Sequence, residues 1–473
     1  MRIFRIAVVS SLVLSSGVLA NALGAQELSP ERGFPSELEL ETTVQDGFTI
    51  AVVGDIIIAN PQSMNPDPEF QAVLQILQEA DVVTGNYEGN IIDGRNFAGS
   101  GPGGFAGTPA VAADLKAMGF DIVARSNNHA GEYGYEGHLE TNRWLDEAGV
   151  VYAGSGENYW SARAARFVDT RMGRVGMVAT ASSFPSAIMA TPPRGEWPGR
   201  GGASALRTTR YFMSPPDLWP AVENIRQAFP NGTGFYARGI NTETQIQILG
   251  EQFRRAPVGV TDPYYSFDIN QRDLTDILRS VREGKMRSDL ITVAIHAHQF
   301  HDAKGGYRGP GIPEAEHLDT NSSIADFLEV FAKAVIDGGA DLFQGTGVHA
   351  LRGIEIYKDR PIFYGLGEFF RQMDIIGLSG MRQEFSRSVG PVGAPFPVKY
   401  ESIIAVSQFA DGKLSEVRLH PIELTYNVRM AQRGLPRMAS PEAAQRILTR
   451  LQELSEPLGT AIVIEGGVGF IRP

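Results

Sequence analysis

The sequence predicts an α/β layered fold on three observations. Short β-branched runs alternate with stretches of helical periodicity, the runs end in small or polar residues, and no internal repeat interrupts the order. The first strand is Phe48-Thr49-Ile50-Ala51-Val52-Val53, ending at Gly54-Asp55. Phe70, Val73, Leu74 and Leu77 recur at helical spacing and predict a helix over 69–79. Asp81-Val82-Val83-Thr84 is the second strand, ending at Gly85-Asn86. A helix over 110–118 leads to the third, Asp121-Ile122-Val123-Ala124, which ends in Ser126-Asn127-Asn128-His129. A helix over 135–148 precedes strands at 150–152 and 175–178.

The rhythm breaks between about 185 and 260, where Pro, Gly, Arg and aromatic residues concentrate and one helix is predicted over 218–229. This stretch reads as an irregular insertion, either a lid or binding loop beside a site or a surface decoration. A helix over 271–283 then precedes the strand Leu290-Ile291-Thr292-Val293-Ala294-Ile295, which ends at His296. A helix over 322–337 leads to Ala340-Asp341-Leu342-Phe343 and a Gly-rich turn, followed by strands at 354–357 and 361–364. Runs at 402–406 and 414–419 predict a closing antiparallel pair, and a helix is predicted over 441–454. The organisation expected is a signal peptide over 1–25, a polar leader over 26–46, one domain over 47–425 and a helical tail over 426–473.

A chain of 473 residues, 43% hydrophobic and 20% charged, can bury a large core. Having no cysteine, it has no disulfide framework, thiolate-held zinc, cysteine nucleophile or iron–sulfur cluster. Any metal must sit on His, Asp, Glu or Asn. A net charge of −12 argues against a general nucleic-acid binder, which needs a basic surface. Arg2 and Arg5 precede an uncharged apolar stretch over 6–20, and small residues follow at Ala20-Asn21-Ala22 and Leu23-Gly24-Ala25. This is the pattern of a secretory signal, with cleavage expected after Ala25; an uncleaved anchor is the alternative. The mature chain is expected in the periplasm or outside the cell, with no membrane span once the signal is removed.

Residues able to ligate metal recur at the carboxyl ends of the predicted strands: Asp55, Asn86 with Glu88, Asn128 with His129, His296, and His349 beyond the turn at Gly345. In open α/β sheets these ends face one crevice, so residues distant in sequence converge there. Carboxylates and imidazoles together suit Zn²⁺, Mn²⁺ or Fe²⁺. Glu132 lies three residues after His129, where it can orient the ring or remain a solvated acid. Arg194, Arg200, Arg207 and Arg210 in the insertion can meet an anionic polymer or small anionic substrate, or can balance surface charge; Arg207 and Arg210 are the substrate-binding candidates. The Gly99-to-Gly104 run lacks the lysine and hydroxyl of a phosphate-binding loop, and no serine-nucleophile elbow occurs.

Several segments together resemble the CapA family of capsule-synthesis proteins. They are Val53-Gly54-Asp55, Ala80 to Gly89, Ser126-Asn127-Asn128-His129-Ala130 with Tyr133-Gly134 and Glu136-Gly137, and Gly353 to Tyr364. The likeness covers about 48–180 and 290–370 and implies a metallophosphatase-like (calcineurin-like phosphoesterase) fold, a four-layer αββα sandwich with its site at the strand ends. By resemblance, Asp55, Asn86, Glu88, Asn128, His296 and His349 are the metal ligands, and His129 gives a proton to the leaving group or steadies the transition state. The family includes proteins associated with poly-γ-glutamate capsules.

Two departures from the family pattern stand out. Gly54-Asp55-Ile56-Ile57 has no histidine two residues after the aspartate, as in the CapA branch generally. Gly345-Thr346-Gly347-Val348-His349 carries Thr346 or Gly347 where a further histidine is usual. On a continuing strand His298 would share a face with His296 and could supply the missing nitrogen; otherwise His298 and His301 are exposed loop residues. One metal ion, two or none therefore remain open. The function expected is a metal-dependent hydrolase of phosphoester, amide or γ-glutamyl bonds, with His129 as acid and Glu132 beside it. The alternatives are a non-catalytic component that binds or anchors capsule polymer and, last, a periplasmic solute-binding protein.

Overall fold

A computed structural model describes residues 42–99, 103–229, 242–301, 323–373, 397–429 and 432–473. The expected signal peptide and all but the last few residues of the leader lie outside these residues, as does the start of the helix expected from 322. No helix among the described residues is long and apolar enough to cross a membrane.

The protein is a mixed α/β structure dominated by two sheets. In the larger, of ten strands, the parallel neighbours Thr49–Ile57, Val82–Tyr87, Ile122–Ala124 and Val151–Ala153 continue in that order. In the second, of six, Gly173–Ala181, Leu290–His296, Leu342–Thr346 and Arg360–Phe363 are parallel neighbours. Alternation along each strand splits its side chains between two environments. Ile50 and Val52 share one apolar cluster with Val175, Met177, Leu290 and Ala294 of the other sheet. Ala51 and Val53 point the other way, into Phe70, Leu74, Val111 and Leu115 of the helices Pro68–Glu79 and Ala110–Met118. Ile291, Val293 and Ile295 likewise meet Ile277, Val281, Phe327 and Phe331 of the helices Gln271–Lys285 and Asp326–Asp337.

Local sequence fixes the helix ends. Asp67 caps Pro68–Glu79 by accepting from the Glu69 amide, with proline in the first turn. Ala110–Met118 and Gly134–Ala148 stop at Gly119 and Gly149, both left-handed. The closing pair forms as expected, Glu401–Ala410 against Lys413–Leu424, and Glu401–Ala410 also pairs antiparallel with Thr49–Ile57.

Two regions depart from expectation. The stretch read as irregular builds a four-stranded sheet, ordered Gln245–Ile248, Glu251–Arg255, Thr208–Ser214 and Tyr264–Ile269, beside the expected helix, here Trp219–Ala228. The tail carries its helix, Pro441–Ser455, but also the strands Pro436–Met438, Val463–Glu465 and Val468–Ile471, which extend the ten-stranded sheet.

Candidate metal centre

Strand register brings the chemistry together. Asp55 stands level with Asn86 on one neighbouring strand and with Glu368 on the other. In the second sheet His296 is level with Thr346. Parallel strands put these residues at the same end of each sheet, and the loops after them add Glu88, Asn128, His129, His298 and His349.

The cluster is buried and mutually bonded. The Asn86 amide donates to Asp55 Oδ1 at 2.8 Å and lies 3.0 Å from His296 Nδ1. Thr346 Oγ1 is 3.2 Å from that same nitrogen, so Thr346 steadies an imidazole rather than replacing one. With Nδ1 engaged, His296 Nε2 faces Asn128 Oδ1 at 2.7 Å, His298 Nε2 at 2.9 Å and Glu88 Oε1 at 3.6 Å. His349 Nδ1 is 3.1 Å from both Asp55 Oδ2 and Glu368 Oε1. Its backbone φ of +57° is left-handed, a strained setting that surrounding contacts hold in place. The Gly347 amide donates to Asp55 Oδ2 at 3.0 Å.

Glu88 is the anomaly. Its side chain is fully buried, and neither carboxylate oxygen has a hydrogen-bond partner. Oε1 has His129 Nε2 at 3.4 Å, His296 Nε2 at 3.6 Å and His349 Nε2 at 3.9 Å. Burial, then the charge of Asp55, push its carboxyl well above the usual range. Burial also tends to raise Asp55, but hydrogen bonds and charge from His296 and His349 outweigh it and hold Asp55 well below. His349 is pulled down by burial and up more strongly by Glu88 and Glu368, ending well above an ordinary imidazole. Burial depresses His296 and, more strongly, His298, where the neighbouring His296 adds to the effect. A buried carboxylate is costly unless a proton or a cation answers its charge, and Glu88 has room for either. Two overlapping groups, Asp55–Glu88–His296 and Glu88–His298–His349, each have ligand atoms within 4.8 Å of one another. The donor set therefore fits a divalent transition metal.

Beside the cluster His129 forms its own arrangement. Its ring stacks on Phe105, with centroids 4.0 Å apart, and its Nδ1 lies 2.7 Å from Glu132 Oε1. The other Glu132 oxygen accepts from the Phe105 amide at 2.6 Å. The carboxylate thus claims the Nδ1 proton and leaves Nε2 facing Glu88. Asn127 fixes the loop: its amide donates to the Tyr87 carbonyl at 2.8 Å, and its Oδ1 accepts from the His129 amide at 3.1 Å.

The expected residues Asp55, Asn86, Glu88, Asn128, His129, Glu132, His296, His298 and His349 are brought together. His298 belongs to the cluster, whereas His301 stacks on Tyr264. Arg207 and Arg210 are not brought there. Arg207 Nε pairs with Asp273 at 2.7 Å, and Arg210 with Glu251 at 2.9 Å, so neither guanidinium points to the cluster. Sequence reasoning missed Glu368, which bonds His349 and is held by Arg371. Gly365-Leu366-Gly367-Glu368 repeats the glycine-then-acid ending of Gly54-Asp55 and could have flagged it. Asn127, beside the expected ligand Asn128, is the residue that anchors the loop, and nothing in the sequence marks Phe105.

The uncharacterized proteins y4sH and y4uA of Sinorhizobium fredii are each 40% identical over 459 residues, covering 91% of this chain and 94% of theirs. The capsule biosynthesis protein CapA of Bacillus anthracis is 23% identical over 68% of this chain and 59% of its own length. A hypothetical protein from Thermus thermophilus aligns with a TM-score of 0.33 at 14% identity, over 82% of this chain and 96% of that one, too loosely to bear on the fold. The family described as bacterial capsule synthesis protein PGA_cap, which has a metallophosphatase-like fold, matches residues 49–305 and 318–373. With that match spanning most of the chain, including every strand end that builds the cluster, the chain belongs to the PGA_cap family of bacterial capsule synthesis proteins.

Proposed function

We propose that this chain is an exported, metal-dependent hydrolase acting in capsule, poly-γ-glutamate or related envelope-polymer metabolism. The scaffold is a four-layer αββα sandwich whose paired sheets open the site at one end. The observation that carries the reading is Glu88, a buried carboxylate with neither oxygen hydrogen-bonded, facing three imidazoles and shared by two potential ligand groups. A carboxylate so placed is suited to ligate a metal ion.

Asp55, Glu88, His296, His298 and His349 would hold the metal, with Asn128 beside them. A bound divalent ion supplies Lewis acidity toward a phosphoryl or acyl oxygen and makes water more acidic. The chain's own residues do the rest. Asn86 and Thr346 orient His296, and Glu368 orients His349. Glu132 holds the Nδ1 proton of His129 and stabilises the imidazolium, so that Nε2 can give its proton to the leaving group. Phe105 covers one ring face and keeps water from it.

The test is elemental analysis of the purified chain together with turnover of phosphoester and γ-glutamyl substrates. Stoichiometric metal, lost in Asp55→Ala, is expected. His129→Ala should keep the metal and lose about 10²–10⁴ in kcat. A second reading is favoured by the relatives' names: Mycobacterium tuberculosis has a probable polyglutamine synthesis accessory protein 24% identical to this chain. If metal binds but no ester or amide turns over, the accessory, polymer-binding role replaces hydrolysis.

A further inference from the structure

A cavity of about 880 Å³ lies among the 189–200 segment, Tyr159 and Arg163, Arg207, and the start of the helix Gln271–Lys285. Arg163, Arg194, Arg200, Arg207 and Arg272 line it, with Asp273 as its one acidic lining residue. Asp273 serves both Arg163, at 3.0 Å, and Arg207, at 2.7 Å, so one carboxylate answers two guanidiniums. Arg163 is buried, its head over the Tyr159 ring, and its Nε has no partner. Arg200 donates only to the Ser186 and Met189 carbonyls, and among the described residues no carboxylate comes within ion-pairing distance of it or of Arg194. Arg272 reaches only a loose 3.9 Å contact with Asp276. On a chain of net charge −12, this is a local excess of positive charge. Trp197, 79% exposed, forms part of its wall.

We propose that this arginine-lined trough is a binding site for a ligand carrying several carboxylates along one chain. Guanidinium forks match planar oxyanions, and Arg is the residue used where bidentate recognition matters. Asp273 is already answered by Arg163 and Arg207, so the charge left for a ligand is that of Arg194, Arg200 and Arg272, spread along the wall as single carboxylates along one chain would be. The volume is that of a site for a sizeable ligand rather than a single ion, and exposed Trp197 offers a flat face for its apolar backbone. The segment that lines the trough also packs against the loop that carries His129. Ile188, just before the lining residues Met189 and Ala190, sits so close to Gly131 that a Cβ there would fall 2.6 Å from the Ile188 side chain. Gly131 is two residues from His129, so the segment that walls the trough and the loop that carries the proposed acid share a packed contact. The proposal refines the substrate reading: Arg207 belongs to this site, and Arg210 does not.

The ligand site rests on the polymer reading of function but not on hydrolysis, and the experiment keeps the two apart. Tryptophan fluorescence of the full chain is titrated with a glutamate oligomer, a glutamine oligomer and inorganic polyphosphate, and metal content is measured in parallel. Saturable, salt-sensitive binding of the glutamate oligomer is expected, with no response to the glutamine oligomer and weaker binding of polyphosphate. Arg194→Glu with Arg272→Glu, two exposed positions, should weaken glutamate-oligomer binding at least tenfold while metal content stays at the unaltered level. The single variant Arg194→Lys, which keeps charge but loses the fork, should fall between. No binding by the unaltered chain, unchanged binding by the double variant, or tighter binding of polyphosphate overturns the proposal. Binding without metal or turnover leaves it standing and removes the hydrolase reading instead.

Discussion

At the scale of single residues, the proton on His129 turns on Glu132. Glu132 has two acceptors, one for the Phe105 amide and one for His129 Nδ1. In Glu132→Gln the single remaining oxygen keeps the Phe105 bond, and the new NH₂ faces Nδ1. That reverses the tautomer and takes away the charge that supports the imidazolium. Turnover of a susceptible substrate should fall about 10- to 100-fold with metal content unchanged; an unaltered rate would remove His129 from proton transfer. A second histidine, His138, makes a prediction unconnected with catalysis. It is buried, its Nε2 takes a hydrogen bond from Ser155 at 2.7 Å, and burial pushes it down to about 3. Its unfolded value is near 6.5, so between 3 and 6.5 the unfolded chain binds the extra proton. The stabilisation is complete above 6.5 and is lost as pH falls toward 3, by on the order of 4–5 kcal/mol. His138→Gln, which cannot titrate, should lower stability at pH 7 yet flatten the loss between pH 6.5 and 4. A denaturant series over that range with parallel slopes for both proteins would refute it.

At the scale of elements, the strand–helix rhythm was legible because period-2 burial against two helical faces forces it. Ile50 and Val52 on one side and Ala51 and Val53 on the other leave a continuous apolar run that sequence shows plainly. Ligand types at the ends were legible for the same reason, since parallel strands bring their carboxyl ends together. The inserted sheet was not legible. Its strands are short and polar, such as Gln245-Ile246-Gln247-Ile248, and their hairpin turns through Leu249 and Gly250, both at positive φ. Leucine is a poor marker of such a turn, which usually shows Asn or Asp before Gly. Glu368 escaped because its strand is four residues long. The close approach of that segment to the first strand yields a further expectation. A Cβ at Gly54 would fall 2.0 Å from the Gly367 carbonyl oxygen, which no side-chain rotation relieves. Gly54→Ala should therefore push the two strands apart, at a cost of about 1–3 kcal/mol. It should also displace Asp55 next to it. Chemical denaturation and metal analysis of this one variant should fall together; loss of stability with full metal occupancy would show that Asp55 is held by other contacts.

At the scale of the whole molecule, the cluster draws on residues from both large sheets. Asp55 and Gly347, joined by a hydrogen bond, are 292 residues apart in the chain. Asp55, Glu88 and Glu368 are buried carboxylates packed against His296 and His349, and their repulsion works against the junction that holds them. A cation replaces that repulsion with attraction and, binding only the folded chain, stabilises it by mass action: about 2.7 kcal/mol at a hundred times Kd. The effect should be local before it is global. Removing metal with a chelator should speed hydrogen exchange first at the Gly347 amide and at the ends of Thr49–Ile57 and Leu290–His296, where the sheets meet the site. The helix Pro441–Ser455, which contributes Ile447 and Leu451 to the core and no residue to the cluster, should exchange at an unchanged rate. Thermal unfolding should shift down by a few degrees on chelation and return when Zn²⁺ or Mn²⁺ is restored. Exchange that rises evenly over the molecule, or a melting temperature indifferent to metal, would mean that the buried charges are balanced by protons alone and that no cation joins the two sheets.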